Sequence, residues 1–218
     1  MIIAVDGPAA SGKGTLARAL AEHFGLAYLD TGSLYRATAV RLLGIGNTNP
    51  TEDQATEAAG SMVAADRENP KLRTEATGQL ASKVAIMPKV RASLLTFQRN
   101  FAATPPNGKS GVVMDGRDIG TVVLPDADKK LFITATAEAR AHRRFLEITA
   151  PEDLTTEAQV LSALIDRDQR DTERAASPMV PAPDAYLLDT TELDIDAALL
   201  AAKAYISGQT AKARIERH

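Results

Sequence analysis

The most chemically informative stretch of the chain is a glycine-spaced turn with a single lysine, GPAASGKGT at residues 7–15. Gly7, Gly12 and Lys13 fit the G-x-x-x-x-G-K frame, which wraps backbone N–H groups around phosphate oxygens. An apolar run at residues 2–5 precedes the turn, and apolar residues at helical spacing follow it. The turn should therefore end at a helix N-terminus, where unpaired N–H groups and the helix dipole favour an anion. The pattern predicts a triphosphate-binding loop in which Lys13 supplies the cation.

The same turn differs from the usual frame at the position that meets magnesium. Gly14 stands where serine or threonine is common, and Thr15 follows one residue later. We expect Thr15 to hold Mg²⁺ directly or through water. Asp115 is a second candidate, because an acid at a strand end can hold the ion through a water molecule. A turn that merely caps a helix is the alternative interpretation.

The rest of the chain alternates short apolar runs with helical patterns. The later apolar runs occupy residues 26–29, 111–114, 131–134 and 185–188. This alternation predicts a doubly wound α/β core around a parallel sheet. We expect three divisions within one domain: a core of residues 1–43, 108–136 and 175–218, a helical flap of residues 44–107, and a lid with its flanking helices at residues 137–174. The flap pattern, rich in alanine and charge, predicts little hydrophobic core of its own.

Charged residues collect where these strands should end. Ligands of open parallel sheets bind beyond the carboxyl ends of the strands, so Thr31 and Arg36 should lie near the loop. Arg117, after the third run, could bind phosphate as a planar donor fork. The alternative for Arg36 is a solvated side chain on a helix. The alternative for Arg117 is ion pairing within the DGRD turn, residues 115–118. Arg167 and Asp171 share one face of a later helix, which suits either a phosphate clamp or a salt-bridged surface.

Composition limits the classes of function. The chain has 218 residues, a formal net charge of −3 and no cysteine. No global positive field is available for a polynucleotide, and disulfides and thiolate metal sites are excluded. No stretch has the length and hydrophobicity of a membrane span or leader. We therefore expect a cytoplasmic protein, a monomer, with no nucleic-acid or membrane partner.

Four segments together resemble the bacterial cytidylate kinases, within the nucleoside monophosphate kinase family. These segments are GPAASGKGT, YLDTGSLYR, DGRDIGTVVLPDA and RDQRDTERA. The third is the most discriminating, because GKGT occurs in many phosphoryl-transfer kinases. The resemblance implies a P-loop NTPase fold with an acceptor flap and a short lid. It also implies transfer of the γ-phosphoryl group of magnesium-bound ATP to CMP or dCMP, with ATP and CMP or dCMP as the partners.

The resemblance also assigns roles to individual positions. ATP binding falls to Gly7, Pro8, Ala9, Ala10, Ser11, Gly12, Lys13, Gly14 and Thr15. Acceptor binding falls to Thr31, Arg36, Ser82, Arg91, Arg117, Asp118, Arg167, Asp171 and Arg174. Catalytic charge stabilisation falls to Lys13, Arg117 and Arg167. Thr31 replaces the commoner serine and keeps the hydroxyl, so we expect recognition to survive.

One segment departs from the family pattern. Bacterial cytidylate kinases usually carry a small antiparallel sheet in the acceptor flap, and here only ADRENPKLR, residues 65–73, occupies its place. This shortening bears on flap closure and cytidylate preference more than on the reaction. The alternatives are a P-loop kinase for UMP or a hydroxylated metabolite, and a noncatalytic nucleotide-sensing module.

Overall fold

A five-stranded parallel sheet forms the centre of the molecule, whose computed structural model describes residues 1–63, 66, 69–147 and 155–208. The strands are β1 (Ile2–Asp6), β2 (Ala27–Asp30), β3 (Val112–Gly116), β4 (Lys129–Thr134) and β5 (Tyr186–Asp189). They pair in the order β2-β3-β1-β4-β5, and every pairing is parallel. The predicted parallel sheet is confirmed, with each strand end within two residues of its predicted position.

The central strands are hydrophobic because helices cover both faces of the sheet. Ile3 and Val5 of β1 are fully buried, under α1 (Lys13–Phe24) and α8 (Ile195–Ile206). Ala4 points into a second cluster on the opposite face of the sheet. Burial of each large side chain contributes about 1.5–3 kcal/mol, so the two clusters fix the strand ends that carry the polar residues.

The strand order brings three chain segments to one end of the sheet. Asp6 at the end of β1 is in register with Gly116 of β3, and Asp30 of β2 is in register with Asp115. β1 lies between β3 and β4. The chain leaves β1 toward β2 in one direction across the sheet and leaves β3 toward β4 in the other direction, so the two connections diverge from neighbouring strand ends. Such a divergence opens the crevice in which ligands of doubly wound sheets bind.

The helices of the predicted flap pack on one another, and the last of them also packs on one face of the sheet. These helices are α3 (Glu52–Gly60), α4 (Glu75–Val84) and α5 (Pro88–Ala103), and α2 (Thr31–Gly44) of the predicted core packs against them. A cluster of ten buried residues joins them, including Leu42, Leu80 and Leu94. The expectation of little hydrophobic core was therefore wrong, because small alanines let the helices approach closely while leucines fill the space between them. α2 packs in this cluster, and the division at residues 43 and 44 stays a prediction.

The segment between α3 and α4 is short and contains no strand among its described residues. Asn69 caps a 3₁₀ turn, Pro70–Arg73, and Asp66 pairs with Arg41 of α2 at 2.9 Å. Residues 64, 65, 67 and 68, which include part of the predicted shortened insert, lie outside the described residues. The described part of ADRENPKLR is thus a turn tied to α2.

Two helices form the base of the predicted lid. They are α6 (Ala137–Glu147) and α7 (Glu157–Glu173), and a capping box between Thr156 and Gln159 begins α7. Residues 148–154 of the predicted lid and residues 209–218 of the predicted core lie outside the described residues. Within the described part of the chain, no helix combines the length and hydrophobicity that crossing a membrane requires.

Candidate active site

The glycine-spaced turn joins β1 to α1, as predicted, and its backbone excludes side chains at two positions. Gly7 has φ +146°, and a Cβ atom there would lie 2.0 Å from the carbonyl oxygen of Ile133. Gly12, with φ +81°, adopts the left-handed conformation and immediately precedes α1. Glycine adopts such angles without steric cost. The first N–H groups of α1 therefore open onto a loop with a tightly specified path.

Lys13 folds back over this loop. Its Nζ donates a hydrogen bond of 3.1 Å to the Pro8 carbonyl, and the residue is only 9% exposed. Burial and the neighbouring Arg117 guanidinium lower the Lys13 pKa, against the opposing effect of Asp115. A cation that is buried beside another cation gains from an anion placed between them. Lys13 is thus positioned as a phosphate ligand.

Asp115 faces the start of α1 from the end of β3. One carboxylate oxygen accepts a 2.8 Å hydrogen bond from the Tyr28 hydroxyl, and the other lies 3.6 Å from where a Cβ of Gly14 would be. Burial raises the Asp115 pKa, because desolvation disfavours the charged form. The absence of a side chain at Gly14 leaves the approach to this carboxylate open.

These residues fit a hydrated magnesium ion. Thr15 is exposed on the first turn of α1, and no group of three or more His, Cys, Asp or Glu side chains among the described residues could form a metal cage. Mg²⁺ commonly takes one or two protein oxygens, with phosphate and water as its other ligands. One carboxylate and one hydroxyl beside a phosphate loop match that requirement.

Thr31 begins α2 next to the end of β3. Its hydroxyl donates a 2.8 Å hydrogen bond to the Asp115 carbonyl oxygen, and the residue is buried. Gly116 allows this close approach, because a Cβ there would lie 2.7 Å from Oγ1 of Thr31. The hydroxyl proton is committed to the backbone, so Oγ1 has only lone pairs to offer a ligand.

Two carboxylates organise most of the predicted acceptor residues. Asp118 pairs with Arg91 of α5 through one oxygen and with Arg174 through the other, at 3.4 Å. Asp171 of α7 pairs with Nε of Arg117 at 3.0 Å. Burial favours the neutral form of Asp171, yet the surrounding arginines, Arg117 first, hold its pKa below the ordinary value. The DGRD loop, the flap and α7 thus meet at these pairs.

The remaining acceptor residues lie on three different helices. Arg36 of α2 pairs with Asp30 at 2.5 Å. Oγ of Ser82 on α4 and Nε of Arg167 on α7 are buried, with no hydrogen-bond partner among the described residues. An unpaired buried donor is costly, so both atoms have hydrogen-bonding capacity for the acceptor that is predicted to bind here.

Arg117 connects the loop electrostatically with the acceptor residues. After burial, it is the largest cause of the lowered pKa of both Lys13 and Arg167, the latter falling to about 10. Arg36 also lowers the Arg167 pKa, so these cations lie within electrostatic reach of one another. Arg167 still carries its charge near neutral pH. Around the acceptor site, five guanidinium groups face three carboxylates, those of Asp30, Asp118 and Asp171, which leaves an excess of positive charge for a phosphate monoester.

Sequence reasoning missed several residues that hold this arrangement together. Asp6 is buried at the end of β1, where burial raises its pKa to about 7. Arg140 of α6 donates to the Ala9 carbonyl of the loop at 3.2 Å and pairs with Asp168 of α7. The available signals were a carboxylate directly before Gly7 and an acid within the charged face of α7.

Comparison with known proteins decides the family. A family model described as Cytidylate kinase matches residues 3–206. This chain belongs to the cytidylate kinase family. The matched range contains every predicted site residue, from Gly7 to Arg174.

Individual relatives agree with this assignment. A cytidylate kinase from Rhodopseudomonas palustris (strain ATCC BAA-98 / CGA009) is 50% identical over 202 residues, which cover 93% of each chain. One from Brucella suis biovar 1 (strain 1330) is 51% identical over 213 residues, or 98% of this chain and 95% of the relative. A solved structure of an uncharacterized protein from Eubacterium ventriosum ATCC 27560 shares the fold, with a TM-score of 0.56 at 16% identity, over 95% of this chain and 98% of that one.

Membership of the cytidylate kinase family confirms three predictions. The chain is a nucleoside monophosphate kinase, it has the P-loop NTPase fold, and its five-stranded parallel sheet is flanked by helices. The roles assigned to individual site residues stay predictions, and the geometry above provides their physical basis.

Proposed function

We propose that this protein transfers the γ-phosphoryl group of ATP directly to CMP or dCMP, and so forms ADP and CDP or dCDP. The observation that carries the proposal is the position of Arg117. Its charge acts on Lys13 of the nucleotide loop and on Arg167, while its Nε binds Asp171. A cation between a donor loop and an acceptor pocket suits a reaction in which a phosphoryl group passes from one to the other.

The mechanism relies on positioning and charge stabilisation. The attacking group is an oxygen of the CMP phosphate, which has little proton to lose near neutral pH, so no strong general base is needed. The loop N–H groups and Lys13 hold the β- and γ-phosphates, and Arg36 and Arg117 orient the acceptor phosphate in line. Arg117 and Arg167 balance charge on the transferred group.

Magnesium completes the donor site. Thr15 and Asp115 would hold the ion that accompanies ATP, directly or through water, and its charge would offset that of the β- and γ-phosphate oxygens. Closure of the flap and the lid would exclude the water that could otherwise hydrolyse ATP.

Preference for cytosine rests on the hydrogen-bonding state of Thr31. Its proton is committed to the Asp115 carbonyl, so Oγ1 can only accept. The exocyclic amino group of cytosine donates, whereas the corresponding oxygen of uracil accepts and would face lone pairs. This asymmetry supports CMP over UMP. Asp171 and Arg167 are the groups assigned to the ribose, and dCMP would lose only the contacts to its 2′-hydroxyl.

The decisive experiment measures ADP release from ATP with a panel of acceptors: CMP, dCMP, UMP, AMP, GMP and representative hydroxylated metabolites. We expect turnover with CMP and dCMP to exceed turnover with every other acceptor. Preferred turnover with UMP or a hydroxylated metabolite would support the alternative kinase. Absence of turnover with any acceptor, in protein that binds ATP, would indicate a nucleotide-sensing module.

A further inference from the structure

A buried carboxylate joins the strand before the nucleotide loop to the DGRD loop. Asp6 is the last residue of β1 and is 4% exposed. One carboxylate oxygen accepts from the N–H of Ile119 and the other from the N–H of Gly120, each at 2.8 Å. Both oxygens are thus used to hold backbone from a segment more than a hundred residues away in the chain.

The segment held in this way carries two predicted acceptor residues. Ile119 and Gly120 begin a π-helical turn, Ile119–Val123, directly after Arg117 and Asp118. Arg117 forms an ion pair with Asp171, and Asp118 forms ion pairs with arginines on two other elements. No hydrogen bond of the Asp118 side chain caps the turn, so Asp6 supplies the acceptors for its first N–H groups.

The sheet fixes Asp6 independently of these two bonds. Its backbone is in register with Gly116 of β3 and Phe132 of β4. The start of the nucleotide loop at Gly7 therefore stays anchored when the carboxylate changes, whereas the turn after Asp118 loses the two hydrogen bonds to Asp6. Gly120 has little room to shift, because a Cβ there would lie 3.2 Å from Cδ of Lys130 and 3.4 Å from Oδ2 of Asp6.

We propose that Asp6 is a positioning residue for the acceptor site. By binding the N–H groups of Ile119 and Gly120, it fixes the position of Arg117 and Asp118 relative to the sheet. The inference rests on the proposed function, since it concerns the placement of the acceptor nucleotide. It predicts that loss of the Asp6 carboxylate weakens acceptor binding selectively and leaves ATP binding intact.

The test compares Asp6→Asn and Asp6→Ala with the wild-type protein. Asparagine keeps the shape and one acceptor oxygen, and its amide nitrogen opposes the second N–H, whereas alanine removes both acceptors. We expect the KM for CMP to rise by about tenfold in Asp6→Asn and further in Asp6→Ala, with the KM for ATP changed by less than about twofold. Calorimetry of CMP and ATP binding gives the same comparison without turnover.

A destabilised control separates positioning from general loss of stability. Ile206 is buried in α8 within the cluster on the other side of the sheet, and Ile206→Ala should lower the unfolding temperature without changing the ratio of the two KM values. Equal weakening of CMP and ATP binding in the Asp6 variants, or unchanged CMP binding, would overturn the proposal. Failure of the wild-type protein to phosphorylate CMP would instead contradict the proposed function, and calorimetric CMP binding would still test Asp6.

Discussion

Lys13 lies in an environment that disfavours its charged form, and a bound anion would oppose this effect. Burial and Arg117 lower its pKa from 10.5 to about 7, so a substantial fraction of free protein carries a neutral lysine near pH 8. Bound triphosphate favours the charged form and returns the pKa toward its ordinary value. ATP binding should therefore take up a proton at about pH 8 and much less at about pH 6, where Lys13 is already charged.

Calorimetry measures this proton uptake. ATP binding, followed in two buffers of different ionisation enthalpy, should show a buffer-dependent heat near pH 8. Metal is left out, so that a magnesium ion beside Asp115 releases no proton. Lys13→Arg is the control, because a guanidinium stays charged and should abolish the buffer dependence. Equal heats in both buffers for the wild-type protein would refute the assignment.

Thr31 provides the second prediction at the residue scale. Thr31→Ser keeps the hydroxyl and should leave the ratio of kcat/KM for CMP over UMP within about threefold, whereas Thr31→Val removes the acceptor and should lower the ratio by about 10- to 100-fold. Valine is close to threonine in volume, so packing against Gly116 is preserved. Steady-state kinetics with both acceptors gives the ratio. An unchanged ratio in Thr31→Val would remove Thr31 from base selection.

The residues that sequence could identify are those whose chemistry is visible locally. Lys13 follows a glycine-spaced turn, and Arg117 lies in a narrow motif, so both were predicted with their roles. Asp6 and Arg140 were missed because their partners, Gly120 and Ala9, are far away in the chain and are backbone groups. Every residue has backbone polar groups, so the sequence does not show which of them a distant side chain will contact. Such contacts can be identified only in the folded structure.

At the scale of elements, α6 and α7 contact the nucleotide loop through a small hydrophobic cluster around Ala9 and through the polar contacts of Arg140. Arg140 donates to the carbonyl groups of Ala9 and Ala135, at 3.2 and 2.9 Å, and pairs with Asp168 on α7. Asp168 directly follows Arg167, so the pair sets the position of Arg167 relative to the loop. Asp168 also has one buried oxygen without a partner among the described residues.

The pair can be tested by single and double substitutions. Arg140→Met leaves the Asp168 carboxylate, which is 18% exposed, without its ion-pair partner and should lower the free energy of unfolding by about 1–3 kcal/mol, with a raised KM for ATP. Adding Asp168→Leu removes that charge, so unfolding temperature should recover while the KM for ATP stays high. Arg144→Met is the matched control, because Arg144 lies on the same helix and, in the part of the chain that the structure describes, forms its ion pair with exposed Glu147. Recovery of both quantities together would reduce the pair to a stabilising contact.

Element boundaries followed from the sequence more closely than element packing. Alternating apolar runs located all five strands, since parallel strands buried on both faces read as continuous hydrophobic stretches. The packing of α2 against the flap helices could not be predicted from the sequence. Hydrophobic spacing shows that Leu34 and Leu42 are buried, but it does not show that they pack against flap helices rather than against the sheet. The π-helical turn after Asp118 was also missed, since its first N–H groups are satisfied by Asp6.

At the scale of the whole molecule, two predicted acceptor residues with unpaired donors lie on different elements. Ser82 lies on the flap, Arg167 lies on α7, and each has a buried donor without a partner among the described residues. A cleft of about 490 Å³ separates α4 from α7, with Gln79 and Gln169 on opposite walls. A nucleotide that contacts both Ser82 and Arg167 would favour a closed arrangement, because it satisfies both donors at once.

Closure can be followed across this cleft in a chain that contains no cysteine. Among the described residues, Gln79 and Gln169 form side-chain hydrogen bonds with Glu75 and Glu173 of their own helices, so cysteines at these two positions should leave the site intact and accept spin labels. We expect ATP and CMP together to shorten the label separation by several ångströms, measured by electron–electron double resonance, and CMP alone to produce a smaller change. A pair at Gln79 and Glu57, both within the flap, should keep its separation. An unchanged distance across the cleft with both ligands bound would show that the acceptor site is already assembled before the nucleotides enter.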